Sequence, residues 1–291
     1  MSNEHEPLLV VKDLRKWFPV QKGFLQRTAG WVKAVDGVDL AVQPGETLGI
    51  VGESGSGKTT LGRCITKLYE ATGGEILLHA NGHTFNVTDL HGKDLSEFRK
   101  SAQTIFQDPY SSLNPRMTVL QTVGEPLLVN HIARGKELEQ RVTEILVQVG
   151  LRVEHLSRYP HSFSGGQRQR IGIARAMVVN PKLVVADEPV SALDVSIQAQ
   201  ILNLLQDLQQ KYGLTYLFIS HAMSVIRYVS NRIAVMYAGK LVELGTKTEL
   251  LAAPKHPYTE TLLAAIPRTA QRRRGKRGIP PGEPPDLANL P

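Results

Sequence analysis

The nine residues GESGSGKTT (52–60) constrain this chain more than any other stretch. They fit the pattern G-x-x-x-x-G-K-[ST], they follow the apolar run TLGIV (47–51), and a helical pattern runs from Gly57 to about Leu68. Such a loop needs a strand before it and a helix after it. Its backbone from Gly52 through Glu53, Ser54, Gly55 and Ser56 to Gly57 can fold around a phosphate with N–H groups pointing inward, and the helix start adds partial positive charge. Lys58 is placed to reach β- and γ-phosphates, the Thr59 hydroxyl to sit on Mg²⁺, and Thr60 to add a phosphate donor. The expected ligands are therefore ATP and Mg²⁺.

The segments around this loop alternate in character. LLVVKDL (8–14), KAVDGVDLAV (33–42) and ETLGIVG (46–52) read as strands, while WFPVQKGFLQRTAGW (17–31) reads as a loop too long and irregular for a hairpin turn. Two short strands near 75–80 and 102–106 flank a helical stretch at 94–100. From about Pro109 to Phe163 strand signals vanish, and 117–129 and 137–150 have helical spacing, the second closed by Gly150. Apolar strands at 182–188, 214–220, 232–237 and 240–244 then interleave with helices near 166–178, 195–211 and 222–229, followed by one more helix in 256–266. That alternation implies a mainly parallel, buried sheet with a helical subdomain inserted into an α/β core.

Two further stretches carry chemistry. LVVADEP (183–189) is an apolar strand ending in two acids: Asp187 would meet Mg²⁺, and Glu188 would polarise an attacking water. Alone, such an ending is more often a solvated turn; beside a P-loop it is a site. HSFSGGQRQRIGIARAM (161–177) looks like another phosphate cradle, but it follows a helical region and so is no second P-loop. Ser164 is a natural N-cap there, with Gly165, Gly166 and Gln167 in the first turn, and any further ligand at that helix end would be an anion.

The ordered set GESGSGKTT, Gln107 in TIFQDP (104–109), SGGQ (164–167), LVVADEP, SALD (191–194) and His221 after FIS resembles the nucleotide-binding subunits of ABC transporters, over about residues 8 to 265. The resemblance implies a head-to-tail dimer with two ATP molecules at its interface, in which Ser164, Gly165, Gly166 and Gln167 bind the γ-phosphate of ATP held by the opposite subunit. It implies that Gln107 joins Thr59 and Asp187 at Mg²⁺ and links the Mg²⁺ and water region to the helical subdomain. Asp194 would touch the partner's P-loop, and His221 would contact the γ-phosphate. An aromatic should stack on adenine, with Phe18 the first choice and Trp17 and Trp31 as competitors. A groove near Gln107 and residues 108–117 would face the membrane subunits. The fold expected is α/β: a P-loop NTPase core with a mainly parallel sheet, an N-terminal antiparallel β subdomain and an inserted α-helical subdomain at about 109–165. The ATP-binding domain would span 1–265, and 266–291 would form a basic, Pro/Gly-rich tail.

Finer likeness lies in VQKGFLQRTAGWVKAVDGV (20–38), FQDPYSSLNPRMTV (106–119), DEPVSALDVSIQAQIL (187–202) and HPYTETLLAAIP (256–267). These resemble the dipeptide/oligopeptide importer branch, most of all its F-type ATPase. That implies as partners a second, D-type ATPase (or a second copy), two integral-membrane permeases and, indirectly, a solute-binding protein. The location implied is the cytoplasmic face of the bacterial inner membrane. Relatives in that branch also serve nickel and glutathione. Two departures stand out. The position after His221 is usually acidic and is Ala222 here, and a cysteine-containing segment often found in that branch is not seen up to Pro291.

Composition narrows the rivals. The single cysteine, Cys64, allows no internal disulfide and no iron–sulfur site, and the nine histidines show no zinc spacing. No apolar run approaches the ~18–20 residues that span a bilayer, and residues 1–14 do not read as a signal peptide. The net charge of +7 is partly local to RRRGKR (272–277), which reads as a solvated tail before it reads as a contact for an anionic membrane. A soluble ABC-type ATPase acting on nucleic acid is the rival from another class. One nucleotide-binding unit, no coiled-coil arms and no zinc cysteines argue against it, so no nucleic acid is expected. Intact Lys58, Asp187, Glu188 and His221 argue against a relative that binds ATP without cleaving it.

Overall fold

The computed structural model describes residues 6–22 and 27–265. The tail from 266 onward, with its basic run, lies outside the described residues. Along the chain, β1 (Leu9–Lys22), β2 (Arg27–Val42) and β3 (Thr47–Val51) lead into α1 (Lys58–Ile65). Then come β4 (Gly73–Ala80), β5 (His83–Asn86), α2 (Gly92–Ser101) and β6 (Ala102–Ile105). A helical stretch follows: α3 (Val119–Val129), α4 (Gly135–Gln148) and α5 (Gly165–Met177). The chain returns to alternation with β7 (Leu183–Asp187), α6 (Val195–Tyr212), β8 (Thr215–Ser220), α7 (Met223–Val229), β9 (Arg232–Tyr237) and β10 (Lys240–Thr246). Two short helices, α8 (Lys247–Ala252) and α9 (Pro257–Ala264), close the described part.

Two sheets organise these elements. One is antiparallel, in the order β2-β1-β4-β5; the other runs β10-β9-β3-β8-β7-β6, parallel except for β10. Successive side chains of a strand face opposite ways, and the parallel strands feed two cores. Val51, Val184, Ala186, Tyr216 and Phe218 join the core shared with α3, α4 and α5. Leu48, Ile50, Leu183, Val185, Leu217 and Ile219 join the core under the antiparallel sheet and α1. Burial on both faces is why these strands are continuous apolar runs, each fully buried Val, Leu or Ile being worth roughly 1.5–3 kcal/mol. Cys64 lies in that second core, 1% exposed, and burial pushes its thiol up to about 11.

The reading of residues 17–31 as a loop is corrected. β1 and β2 pair as a long hairpin, with Trp17 opposite Lys33, Phe18 opposite Val32 and Pro19 opposite Trp31. Four register shifts interrupt the ladder, so no clean two-residue alternation marks it. Strand β5 and helix α8 were not expected at all. α8 has a readable start, because Thr246 and Glu249 form a full capping box. Gly150 follows α4 with φ 77, the left-handed terminator expected of it. Among the described residues no helix is long and apolar enough to cross a membrane.

Candidate functional site

Four neighbouring parallel strands, β3, β8, β7 and β6, end side by side. Their carboxyl ends carry the P-loop, His221, the Asp187–Glu188 pair and Gln107 respectively. Ligands of open parallel sheets sit at such ends, and a cleft of about 650 Å³ lies there, lined by P-loop residues 53–55 and 57–60 with Gln107, Glu188 and His221.

The P-loop is held by walls that only glycine tolerates. A Cβ on Gly57, whose φ is 102, would come 2.0 Å from the Ala34 carbonyl oxygen of β2. One on Gly52 would come 2.1 Å from the Met236 carbonyl oxygen of β9. Inside the loop, Lys58 Nζ donates to the carbonyls of Gly52 (2.8 Å) and Glu53 (2.6 Å) and to Ser56 Oγ (3.1 Å). Burial lowers the Lys58 pKa, against the pull of the nearby Glu188, Asp187 and Glu53 carboxylates. α1 has no side-chain cap, so its first N–H groups are available to an anion.

Beside Lys58, Thr59 Oγ1 donates to Asp187 Oδ1 at 2.9 Å. Asp187 is 5% exposed; burial raises its pKa, and the Thr59 bond offsets part of that rise. A hydroxyl and a carboxylate are hard oxygen donors, and Mg²⁺ characteristically takes one or two protein oxygens and completes its shell with phosphate and water. The pair fits that ion when it is shared with a nucleotide. Among the described residues no cluster of three acidic, His or Cys side chains offers an alternative.

Glu188 is the centre of the remaining geometry. Its Oε1 accepts from His221 Nδ1 at 2.9 Å and its Oε2 from Gln107 Nε2 at 3.1 Å. Its backbone is left-handed, φ 47, and its N–H donates to the Ile219 carbonyl of β8 at 2.9 Å. A left-handed non-glycine residue at a strand end is a strained position of the kind that clusters at functional sites. Ala222 caps α7 without a side-chain bond, its N–H donating instead to Ser220 Oγ at 3.1 Å. His221 therefore takes its support from Glu188.

Other expected residues lie apart. Ser164, Gly165, Gly166 and Gln167 start α5 and do not line this cleft. Ser164 and Gln167 form a reciprocal capping box, and a Cβ on Gly166 would press to 2.6 Å on Ile197 of α6. Asp194 is the N-cap of α6 but makes no side-chain cap bond, which leaves its carboxylate uncommitted there. Phe18 does not line the cleft either; its ring meets Tyr69 edge-on at 5.7 Å, with Lys16 Nζ 4.9 Å from its centroid. Trp17 Nε1 donates to Asp36 Oδ1 at 3.1 Å, and Trp31 is 47% exposed. Sequence reasoning missed Ala34 and Leu262, which line the cleft, and Tyr258, which touches the P-loop. All three lie in stretches quoted for their family likeness, but none was given a role at the site, because only the fold brings them to the P-loop.

Comparison with known proteins places this geometry. The family model described as "ABC transporter" matches residues 35–191, and that described as "Oligopeptide/dipeptide transporter, C-terminal region" matches 242–291. An oligopeptide transport ATP-binding protein of Bacillus subtilis is 50% identical, over 98% of this chain and 87% of its own. A glutathione import ATP-binding protein of Pectobacterium atrosepticum is 48% identical, over 94% of this chain and 43% of its own. Among solved structures, a dimeric post-hydrolysis ATP-binding cassette bound to ADP and phosphate aligns with a TM-score of 0.71 at 29% identity, covering 82% of this chain and 98% of its own.

Proposed function

Since this chain belongs to the ABC transporter family, whose cassettes are ATPases, we propose that it is the ATP-hydrolysing subunit driving an importer of oligopeptides, dipeptides or closely related solutes. It binds nucleotide, pairs with a second cassette and acts on membrane permeases. The finer reading is that the second cassette is a different, D-type subunit and that the complex sits at the cytoplasmic face of a bacterial inner membrane. Helices α3 and α4, with residues 108–117, would meet the permeases.

The observation that carries the mechanism is the two-sided grip on Glu188 beside the phosphate loop. N–H groups of the P-loop and the Lys58 ammonium bind the β- and γ-phosphates of ATP. Thr59 and Asp187 would hold Mg²⁺, which supplies charge neutralisation on the same phosphates. Gln107 and His221 aim the Glu188 carboxylate, which orients a water and accepts its proton as the oxygen attacks the γ-phosphorus in line with the departing ADP. His221 is half exposed, so it can turn from Glu188 to the γ-phosphate when nucleotide enters. The uncommitted N–H groups of Gly165 and Gly166 and the Asp194 carboxylate complete the site of the opposite subunit, consistent with their distance from this chain's own cleft.

Replacing Glu188 with Gln keeps the size and one acceptor but removes the base. Hydrolysis should fall about 10²–10⁴-fold with ATP binding retained. Near-normal turnover, measured as phosphate release, would remove Glu188 from this role. A glutathione-like cargo is a second reading, resting on the glutathione-importing relative. Uptake of labelled dipeptide, oligopeptide and glutathione by cells with and without the chain separates the two.

A further inference from the structure

Helix α9 touches the P-loop through a contact that the catalytic account does not use. The Tyr258 hydroxyl, in the first turn of α9, accepts the Glu53 N–H at 2.8 Å across 205 residues of sequence. Four residues on, and so on the same helix face, Leu262 lines the nucleotide cleft. The Tyr258 ring lies against Tyr237 at the end of β9, with centroids 4.4 Å apart. The helix start is itself anchored. Glu243 of β10 accepts the backbone N–H groups of Lys255 (2.9 Å) and His256 (3.0 Å), and His256 Nδ1 accepts that of Tyr258 (3.1 Å). Burial holds the Tyr258 phenol up at about 12, so it is a neutral hydroxyl at any pH near neutrality.

The bonded N–H belongs to a particular peptide. Its other face is the Gly52 carbonyl, which accepts from Lys58 Nζ at 2.8 Å. Because a peptide unit is planar and stiff, holding its N–H fixes the direction of its C=O. One peptide is thus gripped on both sides, by Tyr258 at the nitrogen and by Lys58 at the oxygen, and bonds in such a chain polarise one another. The Glu53 carbonyl, next along, is the second backbone acceptor of the same ammonium. We propose that Tyr258 is a positioning residue for Lys58, acting through the Gly52–Glu53 peptide, and that α9 is thereby part of the ATP site. The inference rests on the ATPase reading. It makes any displacement of α9 a change in nucleotide affinity.

Tyr258→Phe in the full chain tests it, since the ring and its packing on Tyr237 remain. The expected result is a rise in KM for ATP of about fivefold, the factor one net hydrogen bond corresponds to, with kcat much less affected and the melting temperature nearly unchanged. Amide exchange of the peptide spanning the P-loop, read by mass spectrometry without nucleotide, should quicken. In a Lys58→Ala background, binding of a fluorescent ATP analogue should show no further loss on adding Tyr258→Phe, because the effect runs through the lysine. A KM within about twofold of wild type, or an additive loss in the Lys58→Ala background, would overturn the proposal. A wild-type chain without ATPase activity even when assembled with its partner cassette, or one whose ATP binding is indifferent to Lys58→Ala, would instead overturn the reading on which it rests.

Discussion

Helices α1 and α5 both begin on glycine-rich turns, yet their first turns are completed in opposite ways. α1 starts after Gly57 with no side-chain cap, inside a loop walled by the carbonyls of Ala34 and Met236. α5 starts after Ser164, whose Oγ accepts the Gln167 N–H at 3.4 Å while Gln167 Oε1 accepts the Ser164 N–H at 3.1 Å. The first helix start is committed: no side chain caps it, so its N–H groups are left to an anion. The second is capped at the Gln167 N–H by a bond that is long and therefore weak, while the Gly165 and Gly166 N–H groups stay open. A self-capped end remains stable when its anion leaves and can take it up again. That suits a surface meeting its ligand only when two chains close, whereas the uncapped end suits a loop that holds nucleotide through the cycle.

The comparison can be broken at either helix. Gly57→Ala has the largest expected effect. It puts a Cβ 2.0 Å from a backbone oxygen at a φ of 102, and ATP affinity of the isolated chain should fall at least about 10²-fold, measured by titration with a fluorescent analogue. Ser164→Arg should act differently: monomer binding stays within about twofold, while ATP-driven dimerisation by light scattering is lost and hydrolysis drops about 10²-fold. If both variants lose monomer binding alike, the two helix starts are not distinct in function. The adenine seat expected from the sequence gives the smallest effect: if Phe18 is that seat, Phe18→Ala raises the KM for ATP about fivefold for the loss of one stacked base, while Trp31→Ala leaves it unchanged. The reverse pattern would move the adenine seat from Phe18 to Trp31.

How much of this was legible depended on where the constraint lay. TLGIV, LVVAD and TYLFIS read directly as central strands because both faces of that sheet are covered, which leaves no polar position to interrupt the run. The acids read from their strand end beside the P-loop, whereas Gln107 and His221 entered only through the resemblance, since neither carries a local pattern of its own. The hairpin did not read, because its bulges at Val11–Leu14, Lys16–Trp17 and Val20–Gln21 scramble the alternation. The Thr246-x-x-Glu249 box was present but opens a helix of only six residues, too short for a periodic signal. The contact between Tyr258 and Glu53 was invisible for a different reason: it exists only once β10, α9 and the P-loop are folded together.

Cys64, sealed inside the core with its thiol held far from ionisation, has a practical side. Thiol reagents attack the thiolate of an accessible cysteine, and the native chain offers them none. To a maleimide or a cross-linker this molecule is already blank. A cysteine introduced at exposed Lys211, in the last turn of α6 and away from both helix starts, would be the single reactive handle on the protein. A dye placed there could follow the meeting of two cassettes in real time, with no native residue to strip away first.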